Sequence, residues 1–288
     1  MPTPPSRGAT SPDPARQSRE GRQKAQLFRQ YRLPPDARDA RRCDLDPILD
    51  EDGLEVCESQ VADCGYAACL LRMPDGGGGI MIAAGQDRGR RRFSLAHELG
   101  HYHIPRHKNV GVALYCADAD LRAREIDARR LEWEANDFAT ELLMPRRLFA
   151  RDVAGREATF RTVTELADPG MYDVSLTAAA WRLVETSREA CALVVSVDGH
   201  VEWLVRSEAW RYPLAEWRRP LPRGSAGEAV ARGESPNPRA EPVDPLVWLS
   251  SSDGRWLGGD SVEMFESTHS IPRLGQVLSL LWAIEAGD

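Results

Sequence analysis

Hydrophobic spacing along the chain switches repeatedly between a helical period near 3.6 and a strand period near 2, which predicts an α+β fold. "GRQKAQLFRQYRL" (21–33) predicts a first helix, broken at Pro34-Pro35. "LDPILDEDGLEV" (45–56) predicts a short helix, a turn at Asp52-Gly53 and a strand. Two apolar runs, "YAACLLRM" and "GIMIAAG", flank a Pro-Asp-Gly-Gly-Gly-Gly stretch and predict an antiparallel hairpin. Those glycines lack the lysine and Ser/Thr of a phosphate-binding loop. A helix over about 91–102 follows and is stopped by Pro105; a second strongly helical run covers 125–144 and is closed by Pro145. "RRLFARDV" adds a short helix. Residues 158–187 predict helix, turn at Asp168-Pro169-Gly170, and a helix entered through Ser175. "CALVVSVDGHVEWLVRS" predicts a hairpin around Asp198-Gly199, and the Pro/Gly/Arg-rich stretch 220–245 a long loop. "PLVWLSS" and "SVEMFEST" predict strands, and "GQVLSLLWAI" fits either a helix or a strand. There is no internal repeat.

Composition narrows the class. A chain of 288 residues has room for one enzyme-sized domain and a smaller one. The net charge of −7 argues against wholesale nucleic-acid binding. None of the six cysteines forms a C-x-x-C pair, so a reduced chain with buried thiols is expected rather than a disulfide framework. No apolar run approaches the ~20 residues of a membrane span. The first 22 residues lack the apolar core of a secretory signal and predict a disordered tail. A cytoplasmic protein without membrane attachment is the expectation.

The chemistry concentrates in "RRFSLAHELGHYHIPRH" (91–107). His97 and His101 are one helical turn apart, so their imidazoles project from one face and can converge on a single tetrahedral zinc. Glu98 sits about 100° round the same helix, placed to take a proton from water activated by the metal. Phe93, Leu95, Ala96 and Leu99 make the rest of this helix apolar, and Gly100, costly in a helix interior, signals close packing against a neighbouring backbone.

A catalytic zinc takes three protein ligands, and the acids of the 125–144 helix are the natural source of the third. Glu132 is one candidate, with Asn136 one turn on to hydrogen-bond a metal ligand, and Ala135 and Ala139 small enough for close helix approach. Glu134 is the rival. Glu125 and Glu141 read as solvated. His103 points to the far side of its helix, and His107, beyond Pro105, can fold back as a fourth ligand or a structural group. Tyr102 and Tyr115 are candidates for polarising a scissile carbonyl, and Cys116 for a structural zinc position.

Together "RRRFSLAHELGHYHI" and, some thirty residues on, "EWEANDFATELLMP" resemble the ImmA/IrrE family of zinc metallopeptidases; the glycine-rich hairpin upstream resembles it too, and the similarity covers about residues 40–150. The resemblance implies zinc, one per chain, on His97, His101 and Glu132, with Glu98 as general base. It implies a zincin-like core over 23–150, gluzincin-like in its ligand set, then a helical helix-turn-helix-like segment (151–190) and a small C-terminal α/β unit (191–288), a candidate sensor. It further implies an intracellular endopeptidase making a limited cut in a helix-turn-helix repressor, derepressing stress-response or mobile-element genes. The segment 151–190 offers one basic side chain, Arg182, on its second helix, too few for base readout and phosphate contact, so packing or substrate docking is expected there rather than DNA binding. The alternative from another class is a non-cleaving regulator that binds DNA or a repressor or toxin partner.

Overall fold

The structure, a computed structural model, describes residues 19–59, 67–73, 77–109, 121–214, 218–249 and 262–285, with main chain only at 19, 108–109, 121–129 and 285. In chain order the helices are α1 (Arg19–Arg32), α2 (Pro35–Arg38), α3 (Asp46–Glu51), α4 (Arg88–His103), α5 (Leu121–Leu143), α6 (Arg146–Val153), α7 (Phe160–Ala167), α8 (Leu176–Thr186), α9 (Ala226–Ala231) and α10 (Pro245–Leu249). The strands are β1 (Leu54–Glu58), β2 (Ala68–Arg72), β3 (Gly78–Ile82), β4 (Ala190–Val197), β5 (His200–Arg206), β6 (Glu241–Val243), β7 (Val262–Ile271) and β8 (Gln276–Glu285). Two units emerge. One comprises Gln17–Val153 and Val163–Arg182; the other includes Ala154–Thr162 and Leu183–Asp288.

In the first unit β2 and β3 form the expected antiparallel hairpin, and β1 adds to the other side of β3 in parallel, giving the order β1-β3-β2. Ile80 and Ile82 of the central strand are fully buried. Helix α4 lies against β2 and β3, and α5 packs against both α4 and α1. The core between these helices holds Phe28, Leu95, Ala96, Leu99, Phe138, Ala139 and Leu142. Truncating one such buried leucine costs about 2–5 kcal/mol. α4 and α5 approach closely at Gly100: a Cβ there would stand 3.1 Å from the Ala135 Cα and 3.2 Å from the Phe138 Cβ. The close backbone approach inferred from that glycine is present.

Buried charges fix the helices. Arg29 of α1 donates to the carbonyls of Arg38, Ala40 and Leu142. Glu141, expected in solvent, is 3% exposed. It accepts from Gln26 and pairs with the fully buried Arg182, which also donates to the Met144 carbonyl at 2.9 Å. Arg182 made Glu141 a core residue, and no periodicity in either helix signals a pair so distant in sequence. α4 starts on an Asp87 cap, whose side chain accepts from the Arg90 amide. Its first turn is basic, against the helix dipole. Asp173, at the turn before α8, compensates by pairing with Arg88, Arg92 and Arg42 at 2.8, 3.3 and 3.1 Å.

The second unit is a five-stranded antiparallel sheet of order β5-β4-β8-β7-β6. The β4–β5 turn is as expected: Asp198 and Gly199 both adopt positive φ, 48° and 75°. "GQVLSLLWAI" is strand. Two expectations are corrected. Stretch 220–245 is not loop throughout: Ser225 caps α9 by accepting from the Glu228 amide, and β6 pairs with β7. "PLVWLSS" starts as helix α10 rather than strand, because Pro245 at the first turn presets φ and the Asp244 carboxylate takes the Leu246 amide. Buried Glu266 gathers these pieces, accepting from the Ala226 and Gly227 amides, Trp248 Nε1 and Ser279 Oγ at 2.8–2.9 Å. The chain is helical from Arg19, four residues inside the stretch expected as tail. Of the cysteines within the described residues Cys43 and Cys191 are buried as expected, whereas Cys57 and Cys69 are exposed. No described helix is long and apolar enough to cross a membrane.

Candidate metal centre

α4 presents His97 and His101 to α5, and their Nε2 atoms lie 3.0 Å apart. Glu132 of α5 meets both, with its carboxylate oxygens 3.1 Å from His97 Nε2 and 3.4 Å from His101 Nε2. Among the described residues these three form the group able to hold a metal ion. With no ion between them the rings donate to the Glu132 carboxylate, which holds it far below the usual carboxylate range; burial pulls the His97 imidazole down, but Glu132 and Glu98 outweigh it. A metal ion takes the place of those ring protons.

Each ring is oriented from behind. His97 Nδ1 faces Asn136 Oδ1 at 2.9 Å; the amide oxygen only accepts, so Nδ1 carries the proton and Nε2 offers a lone pair to the cluster. His101 is held by a longer chain. Its Nδ1 lies 3.0 Å from His107 Nδ1, and His107 Nε2 lies 3.1 Å from Glu134 Oε2. Glu134, fully buried, also takes Arg106 and Arg130, so it is ionised and accepts from His107 Nε2. His107 then accepts at Nδ1 from His101, whose Nε2 lone pair is likewise turned to the cluster. Burial and the neighbouring His101 push His107 down to about 3. The 3-10 turn Pro105–Asn109 that follows α4 delivers Arg106 and His107.

Glu98 is on the next helix position and 7% exposed. Burial lifts its carboxyl above the usual value, against the pull of His97 and His101 and of a hydrogen bond from the Leu70 backbone of β2. Arg72 of the same strand donates to the His101 and Tyr102 carbonyls, placing a cation at the end of α4.

The other candidates fall elsewhere. Glu134, the rival to Glu132, is bonded to Arg106, Arg130 and His107 instead of the His97–His101 pair. His103 Nε2 is 2.6 Å from Asp52 Oδ2, away from the cluster, and the Tyr102 hydroxyl donates to the Asp52 carbonyl. Tyr115 and Cys116, and the side chain of Glu125, lie outside the described residues. Sequence reasoning missed the chain through His107: its only signal is a histidine one turn beyond His103, past a proline. Arg182, the one basic residue on the helix weighed for DNA contact, is fully buried.

Comparisons with known proteins agree with this location. No curated protein matches the chain. A solved structure described as a Mycobacterium tuberculosis transcriptional regulator is 15% identical, with a TM-score of 0.54, covering 93% of this chain and 89% of that one. At that identity the likeness establishes a shared mixed α and β fold. The family model of Peptidase_M78, the IrrE N-terminal-like domain, matches residues 53–183. This span, a little under half of the chain, carries His97, Glu98, His101, Glu132 and Asn136 and is similar to that domain.

Proposed function

We propose that the chain is a zinc-dependent endopeptidase, with a zincin-like core and a gluzincin-like ligand set, that makes a limited cut in a helix-turn-helix repressor in the cytoplasm and so derepresses stress-response or mobile-element genes. The convergence of His97, His101 and Glu132 beside the buried Glu98 carries this reading. The donor set suits zinc. A tetrahedral ion about 2.0–2.1 Å from each donor holds its donors roughly 3.3 Å apart. The separations here are 3.0, 3.1 and 3.4 Å. Both imidazoles turn a lone pair inward, as ligation needs. Bound there, the ion would acidify water and polarise a peptide carbonyl.

The residues supply the rest. Asn136 and the His107–Glu134 pair fix the ring tautomers before any substrate arrives. Glu98, its basicity raised by burial, accepts the proton of the attacking water and delivers it to the amide nitrogen, which leaves as an amine when the C–N bond breaks. The substrate class rests on the match to that family's domain.

The test is incubation of the full chain with the helix-turn-helix repressor encoded beside it, with and without chelator, reading fragments by mass spectrometry. One cut, abolished by chelator, is expected. An intact repressor beside fully metal-loaded protein would overturn the peptidase reading in favour of a regulator that acts by binding.

A further inference from the structure

The second unit contains a cavity of about 550 Å³ lined by Glu157, Thr159, Arg161, Arg239, Phe265 and Trp282, with Ala240 and Ile284 at its edge. Its floor is one face of the sheet. Phe265 and Trp282 are cross-strand partners on β7 and β8, their ring centroids 5.7 Å apart and tilted by 40°. Both stay partly exposed, while the opposite face, with Met264 and Leu281, is closed over by the core around Trp248. Aromatic surface kept open at the bottom of a concavity of this size is typical of small-molecule sites.

Two polar features specify what would fill it. Trp282 Nε1 is a buried donor with no hydrogen-bond partner among the described residues. A buried N–H left unsatisfied is costly and calls for an acceptor. Arg239, exposed on the loop before β6, has its amide bound to Asn237, but its guanidinium makes no hydrogen bond or ion pair with any described residue. Arg161, which has interactions of its own, and Glu157 complete the charged lining. Two donors without acceptors, one of them a cation, and two open ring faces match one ligand chemistry.

We propose that this cavity binds a planar aromatic anion, its ring on Phe265 and Trp282 and its acidic oxygens on Arg239 and Trp282 Nε1. Guanidinium recognises carboxylate or phosphate by charge-assisted hydrogen bonds, and an aromatic floor accepts a flat ring by offset stacking. The site lies wholly within the second unit and is independent of the metal centre.

The test is isothermal titration of the full-length protein with 2-naphthoate, alongside neutral 2-naphthamide and cationic 2-(aminomethyl)naphthalene. Saturable binding of the carboxylate is expected, weakened about tenfold or more in the amide and absent for the amine. Arg239→Ala, on an exposed residue that leaves the fold intact, should weaken naphthoate about tenfold. Trp282→Phe should keep stacking but lose several-fold in affinity, and quenching of tryptophan fluorescence by naphthoate should fall with it. No saturable binding of naphthoate, equal affinity for all three compounds, or undiminished affinity in Arg239→Ala would each overturn the proposal.

Discussion

Two carboxylates, Glu132 and Glu134, sit two residues apart on one helix and meet opposite surroundings. The Glu132 side chain is 53% exposed and faces two imidazole nitrogens that present lone pairs. The Glu134 side chain is fully buried against Arg106 and Arg130, with Glu20 as the second carboxylate on Arg106, while His107 donates to it. Successive even positions on a helix point some 200° apart, so one helix can feed two layers of a site. The inner layer gathers acceptors with no cation of its own among the protein groups; the outer layer is charge-balanced. A cluster of acceptors is complete only with a cation, whereas a balanced one is complete as it stands and serves to orient its neighbour.

That contrast can be broken experimentally. Glu98→Gln touches neither layer's charge balance with the ion, so it should keep the metal and lower repressor cleavage by roughly 10²–10⁴-fold. Metal content by mass spectrometry and single-turnover cleavage check this, and cleavage at the native rate would remove Glu98 from the reaction. Glu132→Ala should cost more metal affinity than any change in the outer layer, where losses run at about 10–100-fold. Glu134→Gln and His107→Leu should fall inside that outer range when zinc is titrated against a competing chelator. His107→Asn, which keeps an acceptor near His101, should recover part of the loss. Equal effects of Glu132→Ala and Glu134→Gln would erase the distinction between the layers.

The smallest effect on the metal is expected at Asp173, which belongs to neither. Burial raises its carboxyl, but Arg88, Arg92 and Arg42 outweigh it and hold the group below the usual carboxylate value. A depressed value means the stabilisation is present above the ordinary pKa near 3.9 and is lost as pH falls through the folded-state value. Asp173→Asn should destabilise by about 1.5–3 kcal/mol near neutrality and flatten the acid limb of a urea-denaturation profile. Zinc affinity of the refolded variant should stay within severalfold of the parent.

Much of this arrangement was legible beforehand, for physical reasons that also mark its limits. Helical spacing alone brings His97 beside His101 and Glu132 beside Asn136, because contacts one turn apart are local. Gly100 betrayed the helix crossing because glycine is costly in a helix interior. Arg182–Glu141 and Asp173 with its three arginines were invisible: each joins segments dozens of residues apart, and isolated charges read as solvated faces. Helix α10 was misread because an apolar pentapeptide behind a proline carries no period long enough to tell helix from strand.

The missing side chain at residue 100 has a consequence for ion choice. Since the α4–α5 spacing is set by atoms in van der Waals contact there, and the two rings are braced by Asn136 and His107, both nitrogens are stationary. Only the half-exposed oxygen donor of Glu132 can slide to suit a larger or smaller radius. Such a pocket grades divalent ions by how far one flexible arm must stretch while the other two points of the tripod hold still.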